Sequence, residues 1–161
     1  MEDRITKGLL HNHTEHSLMD STMSPEELVE TAGNLGAPAI ALTDHGTMTG
    51  IIPFKRAVEN YNKVHGTSIK AITGVEAYIA EDPEESTRLH LILIARDKIG
   101  ETAIGKFVTA TNTRVKKVGK LRFPLGNKEL LSRFFGEGSV GHDHVVATSA
   151  VSVVCWQVSI F

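Results

Sequence analysis

Three short segments of the sequence carry side chains that commonly bind metal ions. His11 and His13 alternate in a segment that reads as extended, so both imidazoles point the same way. Asp44 and His45 directly follow an apolar run, and Glu76 follows the next one. If these runs are neighbouring strands, their ends bring the five side chains to one edge of a sheet. Nitrogen and oxygen donors of this kind suit zinc, manganese or iron better than calcium.

Each segment also has an ordinary structural explanation when it is taken alone. Two histidines separated by one residue are a weak signal for a metal. Asp44-His45-Gly46 consists partly of common turn residues, and Glu76 suits a solvated strand end. The combination of the three segments at three strand ends is what indicates a metal centre.

The elements that must position these side chains alternate along the chain. Apolar runs predict strands at residues 8–10, 38–43, 69–73 (continuing or bending at 75–80), 89–95 and 145–149. Helical spacing predicts helices at residues 24–36, 51–65, 101–115 and 128–135, the first opened by the capping box of Ser24 and Glu27. Residues 81–88 are expected to form a charged loop, and a basic loop is expected up to residue 127. This alternation predicts an α/β fold with a mainly parallel sheet, open or curled into a barrel.

Composition limits the classes of function. The 161 residues suit one domain, and the formal net charge of −2 argues against a protein that holds DNA mainly by neutralising phosphates. Contact with nucleic acid should therefore be local, through a metal site or a basic patch. The cationic residues of that patch are Arg114, Lys116, Lys117, Lys120 and Arg122. The chain has one cysteine, no apolar N-terminal run and no membrane-spanning stretch, so a cytoplasmic location without membrane contact is expected.

Three stretches resemble the motifs of the PHP (polymerase and histidinol phosphatase) domain family. Residues 10–20 (LHNHTEHSLMD) resemble the first motif, residues 39–46 (AIALTDHG) the second, and residues 69–78 (IKAITGVEAY) with 90–95 (HLILIA) the third. Order and spacing agree over about residues 8–112. The full motif at residues 43–46 and the continuation Ser17-Leu18-x-Asp20 are more similar to the N-terminal PHP domain of bacterial DNA polymerase III α subunits than to histidinol phosphatases.

The resemblance implies a fold and a ligand set. The fold is a distorted (βα)7 barrel, here incomplete at its C-terminal end. The implied metal ligands are His11, His13, Asp20, His45, Glu76 and His90. Asp44 is implied to orient the site, and His45 and Glu76 to take part in catalysis with it. The family holds up to three divalent ions, such as zinc, manganese or magnesium, and fewer are expected here. His90 opens its strand, so its place depends on the resemblance and on an antiparallel turn through residues 81–88.

The resemblance weakens towards the C-terminus. Val151 stands where the family has a metal-binding cysteine, and the family's later Asp and His motif has no counterpart before Phe161. Cys155 is an alternative donor, although a small buried hydrophobe is the commoner role. His142 and His144 form a second alternating pair, but they precede their strand and favour a surface loop. We expect a PHP domain over residues 1–150 and an apolar tail over residues 151–161.

The implied function is metal-dependent phosphoester hydrolysis in DNA replication, with 3′→5′ exonuclease action on DNA as its specific form. Partners would be DNA or another phosphoester, and polymerase or replisome subunits. One alternative is a catalytically inactive PHP scaffold or a truncated polymerase fragment. A further alternative is a small-molecule phosphatase of the histidinol-phosphatase kind. No residues resemble a polymerase palm, so nucleotide polymerisation by this chain alone is not expected.

Overall fold

The computed structural model describes residues 7–18, 20–82, 88–118 and 121–150. The elements follow in the order α1 (Pro25–Asn34), β1 (Ala39–Leu42), α2 (Ile51–His65), β2 (Lys70–Ile79), β3 (Leu89–Ala95), α3 (Lys98–Thr111), β4 (Val115–Val118), β5 (Leu121–Gly126), α4 (Lys128–Phe135), a 3₁₀ turn (His142–His144) and β6 (Val145–Ser149). The predictions for Lys120, Val151 and Cys155 lie outside the described residues, as does the whole apolar tail.

The helices follow the local signals of the sequence. The Ser24 hydroxyl accepts from the Glu27 backbone, and the Glu27 side chain accepts from the Ser24 backbone, so the predicted capping box starts α1. Gly66 ends α2 in the left-handed conformation at φ 65°. α3 begins at Lys98, three residues before the prediction, because the Asp97 carboxylate caps it. No helix in the described part of the chain has the length and apolarity needed to cross a membrane.

β2 is the central strand of a mixed sheet. β1 and β5 run parallel to it, whereas β3 runs antiparallel along its second half. β6 is antiparallel to β3, and β4 is antiparallel to β5. The α/β class is confirmed, but the expectation of a mainly parallel sheet is wrong because three of these five pairings are antiparallel. The antiparallel pairing of β2 and β3 agrees with the predicted reversal of chain direction before His90, whereas most of the charged loop predicted at residues 81–88 lies outside the described residues.

The expected basic loop before residue 127 is instead the β4–β5 hairpin. Its sequence, VKKVGKLRFPLG, contains few of the β-branched and aromatic residues that mark a strand, and it includes a proline. Tertiary pairing stabilises it: Leu125 and Gly126 pair with the end of β2 at Tyr78 and Ile79. The hairpin is therefore part of the sheet, next to the strand that carries Glu76.

Two hydrophobic cores support the sheet. The first lies between α1, α2 and β1, with Phe54 and Ile40 fully buried. The second covers one face of β2 and β3 with α3 and α4, and centres on Leu93, Ile104 and Phe107. Side chains alternate between the faces of a strand, so this packing leaves Glu76, Tyr78 and His90 on the other face, next to the buried Ile92.

Candidate metal centre

The Glu76 carboxylate lies at the centre of a group of four imidazoles. Its side chain is only 3% exposed. Glu76 Oε2 lies 2.7 Å from His11 Nε2, 3.0 Å from His13 Nε2 and 3.6 Å from His45 Nε2. Glu76 Oε1 lies 2.6 Å from His90 Nδ1. The structure therefore brings together five of the six side chains implied as ligands.

Strand pairing explains why residues distant in sequence meet here. His90 on β3 pairs opposite Tyr78 on β2, so its side chain shares a face with Glu76 two residues earlier. His45 follows β1 and forms a parallel bridge with Glu76. The sixth expected residue, Asp20, lies at the margin, with Oδ2 3.5 Å from His45 Nε2 and a side chain 39% exposed.

The donor set fits divalent cations of the N/O-binding class. Two groups have ligand atoms close enough to hold an ion, His11 with His13 and Glu76, and His45 with Glu76 and His90, so Glu76 belongs to both. The Nε2 atoms of His11 and His13 lie 3.0 Å apart. The buried His45 Nδ1 has no hydrogen-bond partner within the described residues. Imidazoles and a carboxylate that converge in this way are suited to zinc, manganese or iron.

The charges within the cluster are strongly coupled. Burial alone would raise the pKa of Glu76, but hydrogen bonds from His13 and His11 lower it to about 2. Burial lowers the pKa of His45. Burial also opposes charge on His13, yet the hydrogen bond to Glu76 raises the pKa of that imidazole overall. The Glu76 carboxylate therefore favours a positive charge on His13, whereas burial disfavours one on His45.

The segment that bears His11 and His13 is irregular in backbone but well anchored. The Asn12 side-chain amide donates to the carbonyls of Leu9 and Ala41. Asp44 is almost fully buried and accepts from the Thr14 backbone at 2.7 Å and from the Thr14 hydroxyl. Burial raises the pKa of Asp44 despite these hydrogen bonds. Asp44 thus holds the chain directly after His13.

Sequence reasoning missed two residues that organise the site. The buried Ser17 hydroxyl lies 3.3 Å from His13 Nδ1, donates to Asp20 and accepts from the His45 backbone. Tyr78 stacks on His45 with 4.9 Å between ring centroids, and His45 stacks on His13 at 4.7 Å. Ser17 lies in the first resembling motif, and Tyr78 is two residues from Glu76 on the same strand face. The sequence positions of both residues could therefore have indicated that they lie near the site.

The remaining histidines lie outside the cluster. His16 Nδ1 is 3.2 Å from the Thr49 hydroxyl, away from Glu76. His142 and His144 form the 3₁₀ turn before β6, and His144 Nδ1 lies 2.6 Å from Asp97 Oδ2. Asp97 follows the last residues of β3, at the opposite end of that strand from His90. The second alternating pair is thus surface structure, as expected.

Comparisons with known proteins agree with this geometry. The PHP domain family matches residues 10–149. The DNA polymerase III subunit alpha of Campylobacter jejuni is 34% identical over 130 residues, which cover 78% of this chain and 10% of that protein. The corresponding subunit of Helicobacter pylori is 34% identical over 146 residues, 88% of this chain and 11% of that protein. An amidohydrolase structure from Chromobacterium violaceum is 22% identical, with a TM-score of 0.50 over 66% of this chain and 33% of that one.

The chain thus combines a mixed α/β fold with a histidine–carboxylate cluster that could hold a metal ion on one sheet face, and the amidohydrolase structure supports the fold. The chain belongs to the PHP domain family. It spans about a tenth of the length of the curated DNA polymerase III α subunits that it matches.

Proposed function

We propose that this PHP domain binds divalent metal ions at the His–Glu cluster and hydrolyses phosphodiester bonds, acting on DNA as a 3′→5′ exonuclease in association with a replicative polymerase. The observation that carries this proposal is the convergence of four imidazoles on the buried Glu76 carboxylate. Similarity to DNA polymerase III α subunits supports DNA as the substrate and polymerase subunits as partners.

The proposed ligands are His11, His13, Asp20, His45, Glu76 and His90. Divalent ions held there supply Lewis acidity that polarises a phosphoryl oxygen and acidifies a bound water. The chain's own residues set the geometry: Ser17 orients the His13 ring and Asp20, and Asp44 fixes the backbone beyond His13 through Thr14. Tyr78 covers one face of the His45 ring and keeps water from it. We propose a PHP domain over residues 1–150, followed by the apolar tail over residues 151–161.

The first test is the metal content of the purified full chain. We expect one or more equivalents of a transition metal in the wild type and their loss in the double variant His11→Ala/His13→Ala. His142→Ala is the matched control, because His142 belongs to neither donor group. Circular dichroism of each variant shows whether the fold is retained.

The second test is hydrolysis of bis(p-nitrophenyl) phosphate and of single-stranded DNA labelled at its 5′ end. Metal-dependent shortening from the 3′ end that disappears in the double variant would support the exonuclease. If the chain binds metal but hydrolyses neither phosphodiester, the enzymatic function is rejected, and a role as a binding module beside a polymerase is favoured instead. A wild type without metal would reject the metal centre itself.

A further inference from the structure

A cationic and aromatic cluster adjoins the metal centre on the side of β5. The Arg88 guanidinium carbon lies 4.2 Å from the centroid of the Phe123 ring and 5.8 Å from that of Tyr78. The Tyr78 and Phe123 rings meet edge to face at 5.5 Å. Tyr78 in turn stacks on His45. A single aromatic ring therefore separates the guanidinium from the histidine cluster.

Among the residues that the structure describes, Arg88 contacts aromatic rings and no carboxylate. Within the described residues it makes two cation–π contacts and no ion pair. A guanidinium is a planar fork of donors that matches the oxygens of a phosphate, and ring contacts leave its N–H groups available. The positive charge of Arg88 is therefore poised for an anionic ligand that approaches the cluster.

The β4–β5 hairpin next to this cluster has a cationic sequence. Residues 113–128 contain six Lys or Arg residues and no Asp or Glu, in a chain whose formal net charge is −2. The hairpin is fixed close to the cluster: a Cβ added at Gly46, next to His45, would lie only 2.5 Å from Pro124 Cγ. Leu125 pairs with Tyr78. The densest cationic segment of an acidic protein thus borders the candidate metal site.

A ligand that suits these features must carry repeated negative charge and planar apolar groups. Single-stranded DNA has both, because its phosphates pair with Lys and Arg and its bases stack on aromatic rings and guanidinium planes. A small phosphorylated metabolite would need one cation, not a cationic hairpin beside the site.

We propose that Arg88 and Phe123, with the adjoining strands β4 and β5, form a surface that binds single-stranded DNA and leads its backbone to the metal centre. In this arrangement Arg88 contacts a phosphate, and Phe123 holds the guanidinium, whose plane offers a surface for base stacking. The proposal rests on the proposed function, since it assigns the substrate-binding surface of the same site.

The test is fluorescence anisotropy with a labelled oligothymidylate of about 12 nucleotides, a length suited to one binding surface of this kind. EDTA is present throughout, so the readout is independent of bound metal and of turnover. We expect Arg88→Gln to weaken binding about tenfold, in line with loss of one charge-assisted contact. Phe123→Leu and the double variant Lys116→Gln/Lys117→Gln should also weaken it, with a shallower salt dependence for the lysine variant.

The matched control is Arg133→Gln. Arg133 also makes a cation–π contact, since its guanidinium carbon lies 5.4 Å from the centroid of the Phe134 ring, but both residues lie on α4. Its loss should leave affinity unchanged. Circular dichroism identifies any variant that has not folded. Arg88→Lys keeps the positive charge but not the planar guanidinium, so it should bind the oligothymidylate with intermediate affinity.

Equal affinity of the wild type and Arg88→Gln, an equal loss in Arg133→Gln, or no binding by the wild type would overturn this proposal. These outcomes are separate from those of the proposed function. If the chain binds metal and cleaves bis(p-nitrophenyl) phosphate, but Arg88→Gln does not change its DNA affinity, the proposed enzymatic function stands and the proposed DNA-binding surface is rejected. If the chain binds DNA through Arg88 but takes up no metal, the DNA-binding surface is supported and the metal-dependent enzyme is rejected.

Discussion

Glu101 connects the two hydrophobic cores, and its replacement should weaken the whole fold. Its carboxylate lies in the first turn of α3 and forms an ion pair with Lys55 on α2. It also accepts from Lys98 at 2.7 Å and from the buried Thr73 hydroxyl on β2 at 3.1 Å. Glu101→Gln keeps the shape and removes the charge, so its effect reports on this link between α2, β2 and α3.

The size of the effect follows from the pKa of Glu101. Burial would raise this pKa, but hydrogen bonds from Lys55, Lys98 and Thr73 lower it from an ordinary value of 4.5 to about 2. A shift of that size corresponds to a ceiling of about 3 kcal/mol. The Lys55 and Lys98 side chains are 34% and 82% exposed, so solvent screens both ion pairs. We therefore expect Glu101→Gln to lower the free energy of unfolding by about 1–2 kcal/mol at pH 7.

The pH dependence has a definite sign. The folded-state pKa of Glu101 is lowered, so its stabilisation is complete above the unfolded-state value of 4.5 and is lost as the pH falls towards 2. Urea unfolding of the wild type and of Glu101→Gln, with EDTA present, should show a difference that shrinks by roughly half or more between pH 7 and pH 3. Glu59→Gln, at an exposed carboxylate on α2, is the control. A difference that is the same at both pH values, or no larger than that of the control, would refute this explanation.

Three further changes test the packing by urea unfolding at pH 7. Gly100→Ala should destabilise the protein by about 2 kcal/mol or more, because a Cβ there would lie 2.0 Å from the His144 carbonyl oxygen. Gly105→Ala, in the same helix, places its Cβ no closer than 3.9 Å to a neighbouring atom and should stabilise the protein by about 0.5–1 kcal/mol. Equal effects of the two substitutions would contradict the close contact at Gly100. Ser24→Ala removes the cap of α1 and should cost about 1 kcal/mol, and no loss would mean that the capping box is dispensable. Phe54→Ala empties a fully buried position and should cost about 3–5 kcal/mol, so a loss below 1 kcal/mol would show that the first core can collapse around it.

Local signals predicted the helices well because their causes are local. The capping box at Ser24 and the glycine stop at Gly66 fix the ends of α1 and α2 without help from the rest of the fold. The strand-end rule also brought His45 and Glu76 together correctly, since β1 and β2 are parallel neighbours. For His90 the same rule failed, because β3 runs antiparallel, and only the family resemblance supplied that residue.

The hairpin and the polar anchors depend on tertiary contacts that spacing does not reveal. The strands of the hairpin contain lysines, and β5 includes Pro124, so its sequence resembles a loop until β2 provides a pairing edge. Asp44 depends on a tertiary contact in the same way: the family resemblance implied that it orients the site, and its carboxylate accepts hydrogen bonds from Thr14, the residue after His13. The Ser17 hydroxyl becomes important only when the segment after β1, at His45, packs against the segment that carries His13 and Asp20.

The candidate metal centre and the second core are the two faces of one strand pair. Glu76 and His90 project from β2 and β3 on one side, while Val75 and Leu93 project on the other and pack under α3. A slip of one residue in the β2–β3 register would move Glu76 to the apolar face and separate it from all four imidazoles. The cost of exposing Val75 and Leu93 opposes that slip. Apolar packing against α3 therefore holds the ligands in register, and His11, on irregular backbone and 39% exposed, is the donor left free to adjust to an ion.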